Sequence, residues 1–246
     1  MHLSILTGAS RGLGLALAAQ LLARGDRVLA LSRRAPELSV PPGAELLHWA
    51  VDLSDATPVA QRLAEWLAQQ QPEELASATL INNAGVVSKL APLSDVASDD
   101  LVNALRVGLE APTLLTAAFL RATAAWTTPR KVVLVSSGLG RRAMAGSGSY
   151  CAAKAGLDHL ARAVALEEAA KPHGARIVSL APGVIDTDMQ VQLRASDPAL
   201  FPDRVRFVEM KETGQLDSPP VAAAKMLRYL GRADFGTQPV GDVRDA

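Results

Sequence analysis

The chain has 246 residues, 49% of them apolar, and its 25 basic residues are matched by 25 acidic ones. That balance offers no electrostatic basis for binding nucleic acid or an anionic membrane, and no apolar run approaches the roughly 20 residues of a membrane span. The one cysteine, Cys151, excludes an intrachain disulfide and fits a reducing compartment. With no basic region leading into a long apolar core at the start, the cytoplasm is the expected location.

Taken in order, short apolar runs alternate with helical patterns, which predicts a parallel sheet. Strands are expected at 2–7, 27–32, 46–51, 78–83, 131–136, 175–181 and 239–243. Helices are expected at 13–24, 55–70, 98–125, 149–170 and 218–230. Segment 185–216 breaks the alternation. It carries Pro198 and Pro202 and mixes apolar residues with charges, as a binding loop or lid would. No repeat or linker divides the chain, so residues 1–246 are expected to form one doubly wound α/β domain. Its sheet would have about seven strands, with helices on both faces.

The first strand runs into Gly8, Ala9, Ser10, Arg11, Gly12, Leu13 and Gly14, and a helix follows at once. Strand, glycine turn and helix make a cradle for a diphosphate, because backbone amides and the helix dipole favour negative charge there. In isolation the same residues also describe an ordinary tight turn. The second strand ends in Ser32, Arg33 and Arg34, with no acid to hold a ribose 2′-hydroxyl. Arg33, with Arg11 nearby, suits a 2′-phosphate, since a guanidinium gives bidentate charge-assisted bonds. This points to NADPH/NADP+; the alternative is that these arginines are solvated surface charges.

Strand 131–136 delivers Ser136 and Ser137, and helix 149–170 opens with Tyr150 and carries Lys154 four residues later. Residues four apart share a helix face. An ammonium beside a phenol stabilises the phenolate and is expected to pull its pKa down from about 10 toward the working range. Ser137 would then hold the carbonyl oxygen that receives the proton. A lone pair of this kind also occurs by chance on helix surfaces, and it is the surrounding order of motifs that gives it weight. His2, His48, His159 and His173 are scattered, so no metal site is expected.

With Thr7 to Gly14, Asn82 to Gly85, Ser137, Tyr150 to Lys154 and Pro182-Gly183 in this order, the chain resembles the short-chain dehydrogenase/reductase family along nearly its whole length. Tyr150 to Ala152, Ala165 to Glu168, Asp186 to Gln190 and Met210 to Leu216 are similar to its sepiapterin and benzil reductase branch. The resemblance implies catalytic roles for Ser137, Tyr150 and Lys154. It implies cofactor contacts for the glycine turn, for Ser32, Arg33, Asp52 and Leu53, and for Asn83, Ala84 and Gly85. Pro182, Gly183, Ile185 and Thr187 would border the nicotinamide, and Lys154 its ribose. Asp242 falls where sepiapterin reductase has an acid for the pterin guanidine, although a purely structural role for it stays open.

The resemblance fails at one position. Where the family usually has an asparagine in an N-x-x-A-P pattern, this chain has Gly108, ahead of Ala111 and Pro112. On a regular helix Asn103, five residues earlier, lies about 140° away. The expected explanation is that an additional water takes the space of the missing side chain; the alternative is a broken proton relay, in a weak enzyme or a sensor.

The activity expected is NADPH-dependent reduction of a ketone or dicarbonyl, a small benzil-like or pterin-like molecule, by a homodimer or homotetramer. A non-catalytic NADP-sensing protein and an alcohol dehydrogenase working oxidatively are the alternatives. Arg141 and Arg142 are read as a solvated loop, the alternative being contact with an acidic substrate.

Overall fold

The computed structural model describes residues 1–245. Seven strands, β1 (His2–Thr7), β2 (Arg27–Ser32), β3 (Glu45–Ala50), β4 (Ser77–Asn82), β5 (Arg130–Val135), β6 (Arg176–Ala181) and β7 (Val240–Asp242), form one sheet in the order β3-β2-β1-β4-β5-β6-β7. Every neighbouring pair is parallel. The chain builds outward from β1 to β3, returns to place β4 on the other side of β1, and builds outward again. At such a reversal the loops beyond β1 and β4 diverge and leave a crevice at the carboxyl ends of the strands.

Both faces of the sheet are covered, which is why its strands are continuous apolar runs. Leu3 and Ile5 of β1, Leu80 of β4 and Leu134 of β5 pack toward α2 (Ala56–Leu67), α4 (Ala111–Ala122) and α5 (Gly148–Ala169). Leu6, Ile81 and Val133, each one residue out of phase, pack toward α1 (Gly12–Ala23) and α8 (Pro219–Leu230). This period-two alternation sends successive side chains of one strand into two different cores.

The expected strands and helices are present to within a few residues at their ends, apart from two corrections. The helix expected over 98–125 is broken. It consists of α3 (Ser98–Leu105), a π-helical turn over Arg106–Glu110, and α4. Pro112 supplies the reason: it has no N–H to give the carbonyl four residues back, which is Gly108, and its ring crowds that carbonyl. One wider turn absorbs the mismatch. Segment 185–216 is not irregular either, for it holds α6 (Asp188–Ala195) and α7 (Arg204–Glu212). Leu193, Phe201 and Phe207 from this segment form a small core with Leu90, Leu139 and Met144, and the rings of Phe201 and Phe207 stack 5.8 Å apart. Among the described residues no helix is long and apolar enough to cross a membrane.

Candidate active site

A cleft of about 940 Å³ opens at the carboxyl ends of the strands. Its floor is the glycine turn between β1 and α1. Thr7 locks that turn to the end of β4: its Oγ1 accepts from the backbone N–H groups of Asn83 and Ala84, both at 2.9 Å. Asn83 answers through Nδ2, which donates to the carbonyls of Thr7 (3.0 Å) and Gly8 (3.3 Å). Gly8, Ser10, Arg11, Gly12, Leu13 and Gly14 line this part of the cleft, with Asn83, Ala84 and Gly85 facing them.

Ser32 and Arg33, from the end of β2, line the same end of the cleft, as do Asp52 and Leu53 after β3. The Asp52 carboxyl is held below its ordinary range by the Ser54 N–H and hydroxyl, and less strongly by Arg33. Arg34 is outside the cleft, its carbonyl accepting a 2.7 Å bond from the Ser32 hydroxyl. Arg11 is more committed than the sequence suggested. Its Nη1 pairs with Asp188 in the first turn of α6 at 2.8 Å, a surface contact between the glycine turn and segment 185–216.

The opposite wall carries the Ser-Tyr-Lys set. Ser137 follows β5, and its Oγ accepts from the Leu139 N–H at 3.2 Å. Tyr150 stands in the first turn of α5, and Lys154, one turn on, is 4% exposed. Lys154 Nζ lies 5.4 Å from the centre of the Tyr150 ring and donates to the Val135 carbonyl at 2.7 Å. The Tyr150 pKa moves opposite to the sequence expectation. Burial pushes the phenol up to about 12, with the Ser137 hydroxyl pulling the other way. Burial also brings Lys154 down to about 8, opposed by the charge of Asp158. Desolvation outweighs the mutual influence of the pair, because the ammonium is directed at the β5 carbonyl.

Pro182, Gly183, Ile185 and Thr187 close the cleft after β6. Asp242 also borders it, but its carboxylate is already engaged. Arg244 reaches both oxygens, at 2.8 and 2.6 Å, and its N–H adds a third bond at 2.9 Å. Arg141 and Arg142 sit in an exposed loop, as expected; Arg142 lines the cleft, and Arg141 reaches Asp158, with its Nε 3.2 Å from Oδ2. Gly108 is buried, and a Cβ added there would meet Ala153 of α5 at 3.1 Å. Its side-chain direction therefore faces a helix contact rather than an open space for added water. Asn103 is the member of this segment that lines the cleft, together with Val107.

The apolar end of the cleft is lined by Leu193 and Phe207, from the segment expected to be a binding loop, and by Val86, Leu90 and Met144, which sequence reasoning missed. These residues come from loops and short helices, where no periodicity marks them. Among the described residues no group of three or more His, Cys, Asp or Glu side chains is placed to hold a metal ion.

A doubly wound parallel sheet with a glycine turn at its switch point, and Ser, Tyr and Lys converging opposite, defines an oxidoreductase architecture. The chain belongs to the short-chain dehydrogenase family, whose pattern matches residues 3–198. It is 34% identical over 247 residues to the benzil reductase ((S)-benzoin forming) of Bacillus cereus, covering 99% of this chain and 98% of the relative. Identity to the sepiapterin reductase of Rattus norvegicus is 34% over 251 residues, covering 94% and 92%. Among solved structures, a putative NAD(P) dependent gluconate 5-dehydrogenase from Beutenbergia cavernae, with bound NADP at low occupancy, superposes with a TM-score of 0.81. It is 25% identical and covers 98% of this chain and 94% of its own.

Proposed function

We propose that the chain is an NADPH-dependent carbonyl reductase acting on a small dicarbonyl of the benzil type. The observation that carries this reading is the placement of Ser137, Tyr150 and Lys154 along one cleft with the glycine turn. The residues suit a dinucleotide. At Gly14 any side chain would strike the Gly8 carbonyl, so glycine there lets α1 pack close against the end of β1 and brings its N-terminal amides to the cleft. NADPH, when bound, supplies the hydride. Ser137 Oγ positions the carbonyl oxygen, and Tyr150 gives that oxygen its proton. A protonated phenol is the correct starting form for a proton donor, and Lys154 stabilises the phenolate left behind. Since Lys154 loses its proton near pH 8, reduction is expected to decline as pH rises through that value.

The apolar end of the cleft suits aryl or alkyl groups flanking the carbonyls. The engaged carboxylate of Asp242 weighs against a pterin guanidine as its partner. Consumption of NADPH with benzil, followed by absorbance, tests the reading and separates it from its alternatives. A sensor would bind NADPH without turnover, and an oxidative dehydrogenase would favour NADP+ with an alcohol.

Arg33 supports the cofactor choice because no acid accompanies it at the end of β2. A charge-assisted hydrogen bond contributes about 1.5–3 kcal/mol. Arg33→Ala is therefore expected to weaken NADPH by about tenfold or more while changing NADH little, as titration of cofactor fluorescence would show. Preference of the wild-type protein for NADH would reject the assignment.

Segment 185–216 supports a closing role, because α6 and α7 bear on the cleft through a small separate core rather than through the main sheet. Hydrogen exchange over α6 and α7 is expected to slow when NADPH and substrate bind together. Equal protection with and without ligands would make the segment a fixed wall.

A further inference from the structure

Asp158 is 2% exposed on α5, one helical turn beyond Lys154 and two beyond Tyr150, so the three share a face. Its Oδ1 accepts from Ser136 Oγ at 2.6 Å and from Ser179 Oγ at 2.7 Å, which joins α5 to β5 and β6. Its Oδ2 lies 3.2 Å from Arg141 Nε, an ion pair outside hydrogen-bond geometry. Arg141 also donates to the Gly241 carbonyl at 2.8 Å, tying the loop after Ser137 to β7. The turn Gly138–Gly140 is pressed onto the same place: a Cβ at Gly140 would lie 2.9 Å from both Asp158 Oδ2 and the Lys154 carbonyl.

Accepting two serine hydroxyls requires only a neutral oxygen, which asparagine would supply. A buried carboxylate is costly and is retained only where positive charge repays its desolvation. Two cations stand near it, Arg141 on the Ser137 loop and Lys154 on its own helix. We propose that Asp158 is a positioning residue whose buried negative charge keeps Lys154 protonated and clamps the Ser137 loop through Arg141. The proposal rests on the carbonyl reductase reading for its consequence in catalysis.

The charged and titratable groups around the pair are few among the described residues. Tyr150 is on the same helix, with exposed Arg162 one turn beyond Asp158; Arg141 is on the loop, Asp245 shares a surface hollow with Arg141 and Arg162, and beyond Arg141 come Asp242, 3.9 Å from its Nη1, and Arg244. β5, the residue that follows it and β6 present the Val135 carbonyl, Ser136 and Ser179 to them. The direction of the field agrees: burial lowers Lys154, and Asp158 is the group that opposes the fall.

Titration of the lysine ε-carbons by 13C NMR reads the effect without turnover, with Lys154→Met assigning the signal. An opposite charge within about 4–6 Å shifts a pKa by about one unit or more. The Lys154 midpoint is expected to fall by about one unit in Asp158→Asn. A Ser136→Ala/Ser179→Ala variant removes the hydroxyl donors but keeps the charge. It is expected to lose thermal stability while its midpoint stays within about 0.3 unit of wild type. Should Asp158→Asn fail to fold, Arg141→Ala gives the opposite sign, a midpoint raised because the carboxylate no longer shares its charge. An unmoved midpoint in Asp158→Asn, an equal fall in the serine variant, or no rise in Arg141→Ala would overturn the proposal. The alkaline limb of benzil reduction should move with the midpoint. Absence of turnover in wild type would sink the carbonyl reductase reading and leave the NMR outcome to decide the role of Asp158.

Discussion

Tyr150→Phe is expected to lower diketone reduction by about 10²–10⁴-fold, the range that a positioned general acid supplies. Phenylalanine keeps the ring in its place beside Lys154 and Ser137 and removes only the hydroxyl, so NADPH affinity should change little. Steady-state turnover and cofactor fluorescence separate the two quantities. The size of the effect follows from the burial that pushes the phenol up to about 12. Leu90, Met144 and Phe207 wall the apolar end of the same cleft. Turnover close to wild type would assign the proton to another donor and dissolve the mechanism.

The sheet was legible because its strands are buried on both faces and end in residues that cannot continue them. Leu3 to Thr7 runs into Gly8, Leu80 and Ile81 into two asparagines, and Val133 to Val135 into two serines. Of those terminating residues Gly8, Asn83, Ser136 and Ser137 also line the crevice, so strand ends and candidate site residues are read together, while Asn82 turns away to Thr116. The π-helical turn was harder to see. Helical periodicity in a sequence barely registers one inserted residue, although Pro112 four positions after Gly108 is a physical cause in plain view. The helices α6 and α7 escaped for another reason. They are 8 and 9 residues long, too short to show a stripe, and Phe201 between them packs onto loop residues.

The electrostatics was legible only in part. Spacing places Lys154 beside Tyr150, but the depth at which the pair is buried belongs to the assembled sheet and helices. That depth is what drives phenol and ammonium in opposite directions. Arg141 and Arg142 show the same limit. Two adjacent arginines look alike in a sequence, yet one reaches Asp158 and the other faces the cleft.

Gly14→Ala is expected to abolish cofactor binding and to destabilise the fold, by about 3 kcal/mol or more if the turn cannot relax. Gly14 lies in the first turn of α1, where a Cβ would collide with the Gly8 carbonyl oxygen and lie 2.6 Å from Asn83 Nδ2. Neither obstacle yields easily. The Gly8 carbonyl is backbone, and Asn83 Nδ2 is held by its bonds to the carbonyls of Thr7 and Gly8. Relief requires α1 to move away from the end of β1, and that movement would turn the helix N-terminal amides out of the cleft, so the two losses have one cause. Serine at position 14 should be no better than alanine, because the collision begins at Cβ. Ala18, also buried in α1, gives the comparison: Ala18→Gly keeps the turn intact and should cost only about 1 kcal/mol in helix propensity plus the loss of one buried methyl, with NADPH binding retained. Thermal melts with and without NADPH distinguish the outcomes. Gly14→Ala protein that melts like wild type and is stabilised equally by NADPH would show that the turn opens freely, and the close approach of α1 to β1 would not be what builds the cradle.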